Sequence, residues 1–148
     1  MKIEELTQEE LDFIRARNKE LEYENIAKVA YEVLAGEVEA AKGNQSKAIE
    51  HLRKAVAYED ELPYDEPAVW YIPTRQTLGA LLIRAGKYKD AEIVYLEDLD
   101  YYRANGWSLM GLYQSLEGQG KMERAKQVKQ QFDKAWSNSD IEISASVL

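Results

Sequence analysis

Apolar side chains recur along most of this chain with the three-to-four-residue spacing of amphipathic α-helices. The clearest example lies on either side of Gly86, where residues 78–85 and residues 91–102 each carry such an apolar stripe. A stripe of this kind needs a partner surface, so the two helices are expected to pack against each other. The same pattern predicts further helices at residues 26–42, 45–59, 107–119 and 122–136.

Three glycines divide these helices into pairs. Gly43, Gly86 and Gly120 each follow a helical stripe, and each is followed five residues later by an alanine. Glycine adopts the left-handed backbone conformation that ends many helices, which costs other residues about 1 kcal/mol or more. The chain therefore consists of three similar helix-turn-helix units, and Gly79 and Ala91 are expected to meet at the close approach within the middle one.

The spacing of the glycines locates an insertion. Gly86 and Gly120 lie thirty-four residues apart, whereas Gly43 and Gly86 lie forty-three apart. The nine extra residues fall within residues 60–71, where Pro63 and Pro67 disfavour helix. This divides the chain into repeats at residues 26–59, 72–105 and 106–137.

The two ends of the chain differ from the repeats. Thr7 and Glu10 form a capping-box pattern flanked by Leu6 and Leu11, which predicts a separate helix from Gln8 to about Tyr23. We interpret residues 1–25 as a cap on the first repeat. Residues 138–148 alternate apolar and polar positions and are expected to pack as an extended tail over the last helix. Pairing of this tail with another molecule is the alternative.

The middle unit resembles a known repeat family. Its residues Arg75, Leu78, Gly79 and Leu82, followed by Ala91 and Tyr95, are similar to the tetratricopeptide consensus W-x2-L-G-x2-Y...A-x3-F. Repeat three carries Tyr113 where that family has a small residue. Residues 64–67, 70–75 and 105–107 more specifically resemble the C-terminal segment of larger bacterial tetratricopeptide proteins of poorly defined role.

This resemblance implies an all-α fold, a right-handed superhelix whose first helices line a concave groove for peptides or partner proteins. The groove positions that it implies in each repeat are Val33, Glu37 and Ala40, then Gln76, Ala80 and Ile83, then Trp107, Met110 and Gln114. These side chains are mostly uncharged, and the ligand that the resemblance implies is a protein or peptide.

Aromatic residues near the insertion extend this candidate site. Trp70, Tyr71 and Trp107, together with Arg75, offer rings and a guanidinium that suit an extended peptide. The alternative, which the sequence favours, is that the tryptophans fill the gap left by the insertion while Arg75 pairs with an acidic residue, Asp65 or Glu66. The residues assigned to partner binding are Trp70, Tyr71, Arg75, Gln76, Ile83, Trp107, Met110 and Gln114.

Composition narrows the classes of function. The chain has no cysteine and one histidine, His51, which argues against thiolate or multi-histidine metal sites. The net charge of -8 disfavours nucleic acid as a partner. Neither a signal pattern nor a long apolar run is evident, so we expect a cytoplasmic protein without membrane segments.

The sequence therefore predicts a protein-binding or peptide-binding scaffold, not an enzyme, with no cofactor and no metal. The acidic pairs lack a nucleophile or a metal cluster beside them. The alternative function is structural: a self-assembling or regulatory domain of a larger bacterial protein, with weak homo-oligomerisation through its ends and no ligand in the groove.

Overall fold

A computed structural model describes residues 7–147, and within that range its secondary structure is entirely helical. The six helices are α1 (Gln8–Ala41), α2 (Gln45–Asp60), α3 (Thr74–Arg84), α4 (Tyr88–Tyr101), α5 (Gly106–Gly118) and α6 (Met122–Ala135). The all-α class is confirmed, and the ends of α2, α5 and α6 lie within one residue of those predicted. The helices α3 and α4 begin three to four residues before the apolar stripes that predicted them.

The N-terminal region differs from the prediction, because a single helix replaces the expected two. The helix α1 has 34 residues and continues through residues 23–26, where the sequence has neither glycine nor proline to end it. Its capping box is present, with Thr7 accepting from the Glu10 amide. The staple predicted with Leu6 falls outside the described residues. Phe13 is 72% exposed, so this half of α1 is an extension into solvent and does not shield the first repeat.

The three glycine turns are alike in detail. Gly43, Gly86 and Gly120 have φ angles of 82°, 69° and 72°. Each glycine amide, and the amide of the residue after it, donates to carbonyls in the last turn of the preceding helix. In the middle turn these bonds are Gly86 to Ile83 and Lys87 to Leu82, the pattern of a Schellman motif. The glycines therefore set the same reversal between α1 and α2, α3 and α4, and α5 and α6.

The helices pack in chain order. Each contacts the next one along the chain, and α3 also contacts α5 directly. The main core runs through these contacts from α2 to α6, built from residues such as Leu52, Leu82, Tyr95 and Leu116. A smaller cluster of Leu109, Met110 and Phe132 closes the C-terminal end. No described helix is long and apolar enough to cross a membrane.

The segment after α6, called here the tail (residues 137–147), does more than cover the last helix. It begins there, since Trp136 Nε1 donates to the Ile141 carbonyl at 2.8 Å and Ile143 packs against the cluster of Leu109, Met110 and Phe132. It then crosses α5 and reaches α3. The tail is irregular in structure, as expected for an alternating segment with no partner strand.

Candidate functional site

The most distinctive packing in the molecule lies where α3 and α5 meet. Tyr95 projects from α4, and its ring fills the space between Gly79 of α3 and Gly111 of α5. A Cβ added to either glycine would lie closer than 3.0 Å to this ring. The atoms nearest to a Cβ at Gly79 belong to Tyr95, one helical turn beyond Ala91. The small residue of α5 at this contact is Gly111, two positions before Tyr113.

Because the ring passes between two helices, the Tyr95 hydroxyl reaches the surface that α3 and α5 share. We call this surface, with the Tyr95 hydroxyl at its floor, the groove. The tail lies in it. The Tyr95 hydroxyl is 2.5 Å from the Ser146 hydroxyl, which in turn donates to the Gln76 carbonyl at 3.0 Å.

A second contact holds the tail by its backbone. Gln114 Nε2, on α5, donates to the Ser144 carbonyl at 2.7 Å. The Ser144 side chain is exposed, whereas Ser146 two residues later is only 1% exposed. The groove thus binds the tail at three points: the apolar side chain of Ile143, the carbonyl of Ser144 and the hydroxyl of Ser146.

The direction of the hydrogen bonds at Ser146 follows from the groups present. The Gln76 carbonyl can only accept, so the single hydroxyl proton of Ser146 is directed at it. The Ser146 oxygen is then free to accept, and Tyr95 is the donor. Burial raises the pKa of Tyr95, which keeps the phenol protonated and able to donate.

Gln76 binds the tail through its main-chain carbonyl, because its side chain already makes hydrogen bonds within the protein. Its Nε2 lies 3.3 Å from the Ser108 hydroxyl and 3.4 Å from Asp98 Oδ2. The Ser108 hydroxyl also donates to the same Asp98 oxygen. Burial raises the pKa of Asp98, while these two donors oppose the rise. The cluster fixes the N-terminal turn of α3 and the carbonyl that the tail uses.

The structure places the predicted site residues in several separate parts of the molecule. Gln76, Met110 and Gln114 lie at the groove. The Gln76 carbonyl and the Gln114 side chain bind the tail, and Met110 belongs to the apolar cluster that Ile143 contacts. Trp107 packs edge-on against Trp136, with ring centroids 5.5 Å apart, and Ile83 packs against the main core. Trp70 and Arg75 line a separate cleft, and Tyr71 is 91% exposed. The proposed wall of Trp70, Trp107 and Arg75 is therefore not assembled.

The cleft beside Arg75 has a volume of about 460 Å³ and lies under the insertion. Arg75 makes two 2.7 Å hydrogen bonds to the carboxylate of Asp60, and its Nε lies 3.5 Å from Glu97. Its guanidinium also lies 5.3 Å from the ring centre of Tyr101. Arg75 is thus paired, as the packing alternative had it, but with Asp60 and Glu97 in place of Asp65 or Glu66. The positive charge of Arg75 is therefore paired with carboxylates of the protein itself.

Sequence reasoning missed Tyr95 and Ser146 as site residues. Tyr95 occupies an ordinary core position of the repeat, and only the paired glycines, Gly79 and Gly111, each sixteen residues away, signal that its ring passes between helices. Ser146 belongs to the alternating tail, and nothing in the local sequence indicates which helices the tail contacts. Among residues 7–147, no three acidic, histidine or cysteine side chains are grouped to hold a metal ion.

Comparison of the chain with family models, curated proteins and solved structures finds no match.

Proposed function

We propose that the chain is a tetratricopeptide-type repeat array that binds a non-helical segment of a partner protein in the groove between α3 and α5. One observation carries this proposal: the groove already holds a non-helical main chain, that of the tail, through Gln114 and the Ser146 hydroxyl. The three equivalent glycine turns and the chain-order packing support the repeat assignment.

The chemistry of the groove suits a peptide that is uncharged where it makes contact. The Gln114 amide binds a backbone carbonyl, which any residue supplies. The apolar cluster of Leu109, Met110 and Phe132 accepts an aliphatic side chain, as it does for Ile143. These two contacts provide affinity with little dependence on sequence, which is typical of a scaffold that recognises a peptide backbone.

A direct test is peptide binding in trans by the full-length chain. The tail competes from within the same molecule, so it must first be displaced. Ser146→Lys places an ammonium where the side chain is buried, and Ile143→Glu places a carboxylate against the apolar cluster. We expect both variants to bind a fluorescent peptide of residues 139–147, measured by anisotropy. Gln114→Ala in either background should weaken binding about fivefold.

The matched control is Ser144→Lys, which adds the same charge at an exposed position of the same tail. This variant should keep its tail in place and bind the peptide at least roughly tenfold more weakly than Ser146→Lys. If both displaced variants retain wild-type helicity by circular dichroism and neither binds peptide at millimolar concentration, the proposed function is wrong.

The structural alternative stays a prediction, as do the non-enzymatic role and the cytoplasmic location. The helix α1 carries large apolar side chains that are exposed, among them Tyr31, Leu34 and Val38. Light scattering on the full-length chain checks self-assembly, because a monomer at high micromolar concentration would contradict it.

A further inference from the structure

We propose that the floor of the groove is a serine-selective subsite, formed by the Tyr95 hydroxyl and the Gln76 carbonyl. The inference rests on the proposed function and specifies its ligand: a non-helical partner segment with serine at the position that Ser146 occupies. The tail is then a built-in competitor that carries the recognised residue.

Hydrogen bonding at the floor requires a side chain that both accepts and donates. Tyr95 offers a proton and the Gln76 carbonyl offers a lone pair, so the ligand must accept from the first and donate to the second. A serine hydroxyl does both with one atom. Alanine does neither, and a carboxylate at this position has no proton for the Gln76 carbonyl.

The size of the subsite is fixed by the two glycines. The Tyr95 ring is held between Gly79 and Gly111, so it has no space on either side into which to retreat. The distance of 2.5 Å between the hydroxyls of Tyr95 and Ser146 leaves no room for a longer side chain between them. Ser146 itself is almost fully buried, which limits the position to small residues.

A second cleft offers a partner contacts that the tail does not make. The tail runs from α6 across α5 to α3. The cleft, of about 330 Å³, is lined by Gly36 and Ala40 of α1 and by Thr77 and Leu81 of α3, among others, and by no residue of the tail. A partner segment that extends into this cleft gains contacts beyond those that hold residues 143–146.

Peptide selectivity tests the subsite. Full-length Ser146→Lys would be titrated with four peptides of residues 139–147 that carry serine, alanine, threonine or aspartate at the position of Ser146. We expect serine to bind roughly tenfold more tightly than alanine, and aspartate to bind most weakly. A peptide with alanine in place of Ser144 is the matched control, and it should bind like the parent.

Tyr95→Phe in the same host separates recognition from packing. This variant keeps the ring but loses the proton donor, so the ratio of serine to alanine affinity should fall to about threefold or less, while the alanine peptide keeps its affinity. A purely structural role for Tyr95 would weaken both peptides equally. Equal binding of the serine and alanine peptides to the Ser146→Lys host would overturn the subsite and leave the proposed function standing.

A second measurement uses the tail in place, without added peptide. Glu142 lies in the exposed part of the tail, so cleavage after it by a glutamate-specific protease reports how often the tail leaves the groove. We expect Ser146→Ala to raise this cleavage rate about tenfold and Ser144→Ala to leave it unchanged. Mass spectrometry measures the rate of cleavage after Glu142. An unchanged rate in Ser146→Ala would contradict the proposal even if neither displaced variant could be prepared.

Discussion

The two junctions between repeats are built on different principles. At the first, where α2 meets α3, charged and polar side chains connect the helices. Glu59 accepts from the Thr74 amide at 2.9 Å, and Arg75 donates to Asp60 beside an open cleft. At the second, the Tyr95 ring fills the space between two glycines. The second junction also has charged contacts, from Glu92 to Lys121 and Arg124. What distinguishes it is therefore the shape of the Tyr95 ring packed between two glycines.

The insertion explains this difference. Residues 61–73 separate α2 from α3 by a non-helical segment, which gives the first junction room for long polar side chains. Only residues 102–105 separate α4 from α5, so those helices are tied closely and the contact between them must be dense. The groove lies at the second junction because a densely packed contact can hold the Tyr95 hydroxyl in a fixed position.

Removing the Tyr95 ring should have the largest effect. Tyr95→Ala leaves a cavity between α3 and α5, and we expect it to lower the free energy of unfolding by about 3–5 kcal/mol. Urea denaturation followed by circular dichroism measures the change. Tyr95→Phe is the control and should cost only about 1 kcal/mol, for the lost hydrogen bond. A loss below about 1 kcal/mol in Tyr95→Ala would show that the second junction does not depend on shape.

Overfilling the same place should come next. Gly79→Leu puts a side chain where the Tyr95 ring lies and should cost about 1–3 kcal/mol, although replacing glycine in a helix interior usually stabilises it. The double variant Gly79→Leu with Tyr95→Leu should lose less stability than the two single changes added together. Strict additivity in this cycle would contradict direct contact between the two residues.

A substitution at the first junction should lower stability less, and the loss should depend on salt concentration. Arg75→Met keeps the buried stem of the side chain and removes its hydrogen bonds to Asp60. We expect a loss of about 1 kcal/mol, because the Asp60 side chain is 38% exposed and the pair is partly screened. The loss should shrink in 1 M sodium chloride. A loss that equals that of Tyr95→Ala would remove the distinction between the junctions.

The smallest expected effect is on the pH dependence of the free energy of unfolding. Burial raises the pKa of Asp98 above its ordinary value of 3.8, so the folded protein binds a proton more tightly than the unfolded chain does. The contribution of Asp98 to stability therefore falls as pH rises from about 4 until the folded carboxyl is ionised. Asp98→Asn should remove this falling component from a plot of unfolding free energy against pH.

An exposed carboxyl provides the opposite sign for comparison. The hydrogen bond from Lys54 lowers the pKa of Glu50, so its contribution is present above the ordinary glutamate value and is lost as pH falls. Glu50→Gln should therefore remove a rising component. Parallel pH profiles for Asp98→Asn and the wild-type protein would contradict the assigned burial of Asp98.

The parts of the fold that could be predicted from the sequence are those set by local chemistry. Gly43, Gly86 and Gly120 mark their turns because a left-handed backbone favours glycine wherever it occurs. The insertion was evident from its prolines. The division of α1 into two helices was wrong because the change in its apolar pattern, from sparse to dense, reflects solvent exposure and not a break in the backbone.

The site was harder to predict because it depends on distances between separate elements. Gln114 and Met110 were identified from their repeat positions, and both lie at the groove. Gln76 was identified for its side chain, although its main-chain carbonyl makes the contact with the tail. The partner of Arg75 was misplaced because Asp60, on the last turn of α2, lies nearer than the acidic residues of the insertion.

The bond between Gln76 and Ser146 joins residues 70 positions apart, whereas the contacts between helices link neighbours along the chain, apart from that of α3 with α5. Neighbouring helices can therefore fold locally and early, and the tail can dock only after α3 to α6 have formed. By then only the short segment between α6 and Ser146 is still free, so docking it closes a short loop and costs little entropy. We therefore expect the protein to fold through a stage in which its repeats are formed and its groove is still open to a partner.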